Sequence, residues 1–157
     1  MRIRNVMTKD PCCCLPDEPA VKAASIMRQE KAGIVPVIDN AQSRRIVGVV
    51  TDRDLCMNVV AESRHPNEVA VKDCMTTRVV TCSANDSVER AMQLMQENQI
   101  RRIPVTDENG GLLGIVALGD LVSRGTPKST QTHETLKVVS MPTDAASKPR
   151  AESRKAA

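Results

Sequence analysis

Residues 48–55 read Gly48-Val49-Val50-Thr51-Asp52-Arg53-Asp54-Leu55, and residues 114–121 read Gly114-Ile115-Val116-Ala117-Leu118-Gly119-Asp120-Leu121. Each is an apolar run of strand length that passes directly into a segment with an early carboxylate, as when a strand delivers the chain into a helix. Glycine, valine, aspartate and leucine recur at matching places, so the chain is written twice. Toward the N-terminus, a shift of 68 sets Met7-Thr8 on Met75-Thr76, Ala23 on Ala91, Met27 on Met95, Pro36-Val37 on Pro104-Val105 and Asp39 on Asp107. Two extra residues in the first copy, within the Ala41–Arg45 turn region, change the shift to 66 for the quoted stretches.

Both copies carry the same order of local signals. A short extended piece, Cys12–Leu15 or Val79–Cys82, precedes a helix whose start is marked by Asp17 or Asp86, the latter at capping-box spacing from Glu89. Ala20, Ala23, Ala24 and Met27 supply the apolar helix face in the first copy, and Val88, Ala91, Met92 and Met95 in the second. Strands follow at Ile34–Ile38 and Ile103–Thr106, polar turns at Asp39–Ser43 and Asp107–Gly111, then strands at Ile46–Thr51 and Leu112–Ala117. Closing helices are predicted near Asp52–Val60 and Leu118–Ser123. The fold class is therefore α/β (α+β), with two β-α-β-β-α repeats packed as a pseudo-symmetric pair. The repeats take residues 1–61 and 71–124, with a linker over 62–70. Residues 125–157 are expected to form a polar, flexible tail, disordered beyond Pro142, with Leu136-Lys137-Val138-Val139 able to add an edge strand or dock on the body.

Composition narrows the function. The chain has 157 residues, 41% of them hydrophobic, with no Phe, Tyr or Trp. That aliphatic share excludes a wholly disordered chain, and the missing aromatics exclude proteins that stack bases on aromatic platforms. Residues 1–124 carry 16 basic and 16 acidic side chains, so the net charge of +3 belongs to the tail. A neutral body is poor material for a nucleic-acid binder. No signal-peptide pattern and no membrane-length apolar run is present, so a cytoplasmic protein without a membrane partner is expected. The six cysteines include no Cys-x-x-Cys pair, and a reducing compartment disfavours disulfides. Small buried apolar thiols are expected rather than a metal site.

The repeated strand ends are the candidate chemistry. Free N–H groups where Thr51 leads into the helix, with the Thr51 hydroxyl, can receive an anion, and Asp54 can accept both hydroxyls of a ribose. The same two residues can equally cap the helix. The second copy keeps the carboxylate at Asp120 but has Ala117 in place of the hydroxyl, while Gly119 lets a phosphate approach the backbone. Arg101 and Arg102 stand where the first copy has Gly33-Ile34; they either hold phosphates or pair with Glu97 or Asp107 at a solvated strand end. The halves share a frame and differ in lining, so two inequivalent sites are expected.

Val6-Met7-Thr8, the Ala20–Met27 helix, Ile34-Val35-Pro36-Val37 and Gly48–Leu55 resemble a cystathionine-beta-synthase (CBS) domain. Cys74-Met75-Thr76, Ser87–Met95, Arg102-Ile103-Pro104-Val105 and Gly114–Leu121 resemble a second. The resemblance implies a Bateman module, two units packed through their sheets and usually dimerised, which binds adenosyl ligands such as AMP, ADP, ATP, S-adenosylmethionine or NAD-type dinucleotides between the units. It implies Asp54 and Asp120 on ribose, Thr51 on phosphate, and Thr8, Thr76, Ile34 and Ile103 around the base. It further implies a homodimer, an adenosyl nucleotide as regulatory ligand rather than catalytic cofactor, and an unknown protein target. No Ser/His/Asp, Cys/His or metal-ligand set stands out in the sequence, so no enzyme activity is expected. Ala117 departs from the family's hydroxyl and puts the second site in question. The competing expectation is an adaptor that keeps the frame as a scaffold with a vestigial site.

Overall fold

The computed structural model describes residues 1–124 and 129–141. Its main elements are β1 (Thr8–Lys9), α1 (Ala20–Glu30), β2 (Ile34–Ile38), β3 (Ile46–Thr51), α2 (Asp52–Leu55), β4 (Cys82–Ser83), α3 (Val88–Asn98), β5 (Arg102–Thr106), β6 (Leu112–Ala117), α4 (Leu118–Arg124) and α5 (Ser129–Ser140). A π-helical turn over Cys56–Val60 prolongs α2. The strands of the first copy lie where the apolar runs predict. In the second, β5 begins one residue early, at Arg102.

The repeat is visible in the pairing. β2 and β3 are antiparallel with Ile34 opposite Thr51, and β5 and β6 are antiparallel with Arg102 opposite Ala117. Cys14 bridges Val37 in parallel, as β4 lies parallel to β5 with Cys82 opposite Val105. The expected extended pieces thus shrink to a bridge at Cys14 and a strand at Cys82–Ser83. On the other edge, β1 joins β6 with Thr8 opposite Ile115, and Thr76 bridges Val49 of β3.

Those edges reveal an exchange that repeat counting does not anticipate. Ile3 and Val6 are buried in the core that holds Ala91, Met92, Met95, Ile103 and Leu121. Val69, Val71 and Cys74 are buried with Ala20, Ala23, Val35, Val37 and Val50. Each opening segment therefore packs on the other copy's sheet. Backbone bonds fix the first swap, with Ile3 N–H donating to the Asp86 carbonyl and Arg4 N–H to that of Ala84, both at 3.0 Å. The sequence copies and the packed units differ by this exchange.

Helix ends correct several expectations. Asp86 does not cap α3; its carboxylate accepts from Ser83 N–H at 2.8 Å, and Ser87 is the cap, accepting from Arg90 N–H at 3.2 Å. The boundary falls one residue later because Ser87 is the last residue with extended backbone. Asp17 likewise does not cap α1, which opens on Pro19; it pairs with Lys72 at 2.6 Å. On α1 the buried face uses Ile26 where Ala24 was expected, and Ala24 is exposed. Leu136–Val139 forms part of a helix, not an edge strand. That helix docks: Val139 is buried in the second core, and Thr135 is buried with its hydroxyl donating to the Gln131 carbonyl at 2.8 Å. The disorder expected beyond Pro142 concerns residues outside the described ones. Among the described residues no helix is long and apolar enough to cross a membrane.

Cys14 and Cys82 occupy equivalent places, one in each core, and burial pushes both thiols from the ordinary 9.0 to about 12. Between those values the unfolded chain has lost protons that the folded chain retains, so stability falls as pH rises from about 9 to about 12. The urea midpoint is expected to drop across that window, and replacing both cysteines by alanine is expected to flatten the drop. Of the free thiols, Cys12 and Cys56 are exposed rather than buried.

Candidate functional site

A cleft of about 280 Å³ lies between the units. Thr8 enters it from β1, Ile34 from the start of β2, Arg102 from the start of β5, and Ala117 and Asp120 from the β6–α4 junction. Because β1 is paired to β6, the Thr8 of the first copy lies with the Asp120 of the second. The turn that ends α1 adds Glu30, Lys31 and Ala32, and Cys12 stands at the mouth with its thiol 3.5 Å from a Glu30 carboxylate oxygen. Partial desolvation and Glu30 hold that thiol above its ordinary value. Two cations, Arg102 and Lys31, thus face two anions, Glu30 and Asp120, over apolar Ile26, Ile34 and Ile115.

Close approach of backbone makes the cleft narrow. A Cβ at Gly33 would lie 3.0 Å from Asp52 Oδ2 and 3.4 Å from Arg102 Nη1, so Gly33 is where the second unit's guanidinium crosses onto the first. Asp120 is half-buried and accepts from Ala117 N–H at 3.1 Å. This is one half of the bonding seen in the first copy. There Thr51 N–H donates to Asp54 Oδ2 at 2.9 Å, the Thr51 hydroxyl donates to the same oxygen at 2.7 Å, and Asp54 N–H donates to the Thr51 hydroxyl at 3.1 Å. Thr51 and Asp54 form a closed capping box at the start of α2.

The expected site residues therefore separate. Thr8, Ile34, Arg102 and Asp120 meet in the cleft. Arg101 and Gly119 lie in an adjoining hollow bounded by α5. Neither arginine takes the expected pairing: Arg101 donates to the Val139 carbonyl at 3.4 Å, while Glu97 accepts from Gln93 and Asp107 from Asn109 N–H. Thr76 sits at the symmetric edge beside Val49, near Thr51 and Asp54 rather than Asp120. Ile103 is the misfit. It is fully buried in the second core, because Arg102, not Ile103, occupies the place of Ile34 in the register. The contribution of the α1 end was missed; its signal was positional, since Lys31 turns left-handed (φ 51°) just before the strand that carries Ile34.

Asp54→Ala is expected to lower folding stability by about 1 kcal/mol through loss of the cap, read as a fall in the urea midpoint with an unchanged m-value. Alkylation by a small maleimide at neutral pH is expected to modify Cys12 and Cys56 in the folded protein, and Cys14, Cys74 and Cys82 only in denaturant.

The geometry has counterparts in known proteins. The CBS domain family model matches residues 3–61 and 71–125. The CBS domain-containing protein YhcV of Bacillus subtilis is 38% identical over 119 residues, which cover 76% of this chain and 81% of that protein. A crystal structure of CBSX2 in complex with AMP superposes with a TM-score of 0.65 at 26% identity, over 78% of this chain and 94% of that one. The CBS-domain containing protein ATU1752 of Agrobacterium tumefaciens gives a TM-score of 0.68 at 28% identity, over 80% of this chain and all of that one. With two matched copies that together span nearly all of residues 3–125, the chain belongs to the CBS domain family as a tandem pair.

Proposed function

We propose that the protein is a non-catalytic sensor that binds an adenosine-containing nucleotide in the cleft between its units. The observation that carries this reading is the meeting of Asp120, Arg102, Ile34 and Thr8 from the two units on one small cavity. A carboxylate can accept two ribose hydroxyls, and a guanidinium matches phosphate oxygens. Ile26, Ile34 and Ile115 offer aliphatic faces to the base, so adenine binding needs no aromatic side chain. The AMP complex of CBSX2 supports the adenosine class.

Signalling follows from where the ligand touches. A molecule held by both units favours the relative orientation in which both contacts are made, and the size of the shift is bounded by its differential affinity for the two states. The reading places the protein in the cytoplasm as a homodimer acting on a protein target. Met57 and Val60, 54% and 71% exposed beyond α2, supply apolar surface for such contacts.

The test uses the missing aromatics. Clean protein should carry a near-ultraviolet band only if nucleotide is bound, since the chain has no Phe, Tyr or Trp. Denaturation followed by mass spectrometry of the released fraction should yield an adenosyl compound, and calorimetric titration with AMP, ADP, ATP and S-adenosylmethionine should find at least one ligand. No released compound and no binding across that panel overturns the reading and leaves the adaptor scaffold in its place.

A further inference from the structure

A hollow of about 410 Å³ lies outside the cleft, between α4 and the terminal helix α5. Leu118 and Val139 are its buried walls, and Val122 and Leu136 its exposed ones, at 41% and 45%. Arg101 and Arg102 line it too, and among the described residues no carboxylate does. Neither arginine is in an ion pair there; the pairs among the described residues join Arg44 to Asp10 and Lys72 to Asp17. Arg101 gives one bond from Nη2 to the Val139 carbonyl, at 3.4 Å, and its other donors point to no carboxylate. Two cations without a counter-charge thus adjoin aliphatic surface that the fold leaves partly wet.

The hollow is a product of α5, an element outside both repeats. That helix is held by the Gln131 amide, which donates to the Glu89 carbonyl at 3.1 Å, and by the buried Thr135 and Val139. The first copy has Gly33 and Ile34 where the two arginines stand, so this pairing of charge with aliphatic wall belongs to the second unit alone. We propose that the hollow binds a small aliphatic carboxylate, its alkyl chain between α4 and α5 and its carboxylate on Arg101 and Arg102. A guanidinium presents paired donors that match a carboxylate, and an alkyl chain seated beside it covers Val122 and Leu136. The site stands outside the repeats and does not rest on the adenosyl reading of the cleft.

Other occupants satisfy only half of this lining. An inorganic anion pairs with the guanidiniums and leaves the aliphatic walls in water. A neutral alkyl molecule covers the walls and leaves both cations without a partner, and an alkylammonium ion is repelled by them. The volume falls within the range of about 300–1,000 Å³ usual for small-molecule sites. Arg102 also lines the cleft, so an anion in either cavity draws on the same guanidinium. Occupation of the hollow should therefore oppose a phosphate in the cleft, and by linkage the reverse holds to the same degree.

The full chain should be titrated calorimetrically, at neutral pH and fixed ionic strength, with butanoate, octanoate and octan-1-ol. A fully buried methylene strengthens binding about fourfold, and a half-buried one about twofold. Octanoate, four methylenes longer, is therefore expected to bind at least about fifteenfold more tightly than butanoate. It should also bind about tenfold more tightly than octan-1-ol, because the alcohol cannot pair with a guanidinium. Aliphatic surface alone gives the opposite order, since the alcohol loses less hydration on burial. Val122 is an exposed wall, so Val122→Asp sets a carboxylate in the hollow without entering the core, and octanoate should weaken more than tenfold. No binding of octanoate overturns the site, as does an alcohol that binds as well as the acid. Unchanged octanoate affinity in Val122→Asp places the acid elsewhere and overturns it too. The chain-length and alcohol comparisons use the unaltered protein, so they decide the matter even if that variant does not fold.

Discussion

Asp120→Ala is expected to weaken nucleotide binding about thirtyfold, close to 2 kcal/mol, while Asp54→Ala changes it less than about threefold. The difference follows from where the carboxylates stand. Asp120 lines the cleft with Thr8, Ile34 and Arg102, and accepts from Ala117 N–H at 3.1 Å through Oδ2. Asp54 closes a capping box in which Thr51 supplies both an N–H and a hydroxyl to one carboxylate oxygen. Charge-assisted bonds to ribose hydroxyls contribute about 1.5–3 kcal/mol, so losing them outweighs the change in backbone capping. Asp120→Asn keeps one acceptor oxygen and should fall between wild type and alanine. Calorimetry on the three variants, each checked for an intact thermal transition, reads the result. Equal affinities in wild type and Asp120→Ala, or the larger loss at Asp54, would remove Asp120 from the ribose.

The inequality between these two aspartates also marks how far the sequence can be read. Strand positions were legible because apolar runs of strand length are bounded by Asp39, Asp107, Asp52 and similar turn or helix-start residues. The recurrence of Met7-Thr8 and of Gly48 was legible as a repeat, but its physical cause was not. Met7 and Thr8 pack on Gly114, and Met75 and Thr76 on Gly48, so each motif meets its partner in the other copy. Sequence order pairs Thr8 with Asp54, whereas the exchanged strands pair Thr8 with Asp120. That is a long-range contact, and no local propensity encodes it. Ile103 failed for a narrower reason: a one-residue offset at the strand start puts Arg102 in the cleft and its neighbour in the core. The α5 dock was partly legible in Leu136–Val139, yet three apolar residues among four cannot distinguish a strand from one turn of an amphipathic helix.

The exchange makes Gly114 the most sensitive glycine of the repeat. A Cβ there would sit 2.6 Å from the Thr8 carbonyl oxygen and 2.9 Å from Met7 Sδ. At Gly48 the 2.6 Å contact is with Met75 Sδ, the end of a flexible side chain, and the Thr76 carbonyl is farther off at 3.2 Å. Methionine can swing aside, whereas a backbone carbonyl in a strand moves only with its strand. Gly114→Ala should therefore push β1 away from β6 at a cost of about 2 kcal/mol, within the range for overpacked sites, and Gly48→Ala should cost about half of that. For a two-unit body of this size the Gly114 change corresponds to a fall in Tm of about 6 °C. Because β1 carries Thr8 into the cleft, Gly114→Ala should also weaken nucleotide binding, and Gly48→Ala should leave it nearly unchanged. Trimming the side chain with Met7→Ala should not restore Gly114→Ala, since the Thr8 carbonyl remains. Thermal unfolding and titration on the wild type and the three variants decide the matter. Equal costs at the two glycines, or rescue by Met7→Ala, would mean that side-chain packing rather than the Thr8 backbone sets the distance between β1 and β6.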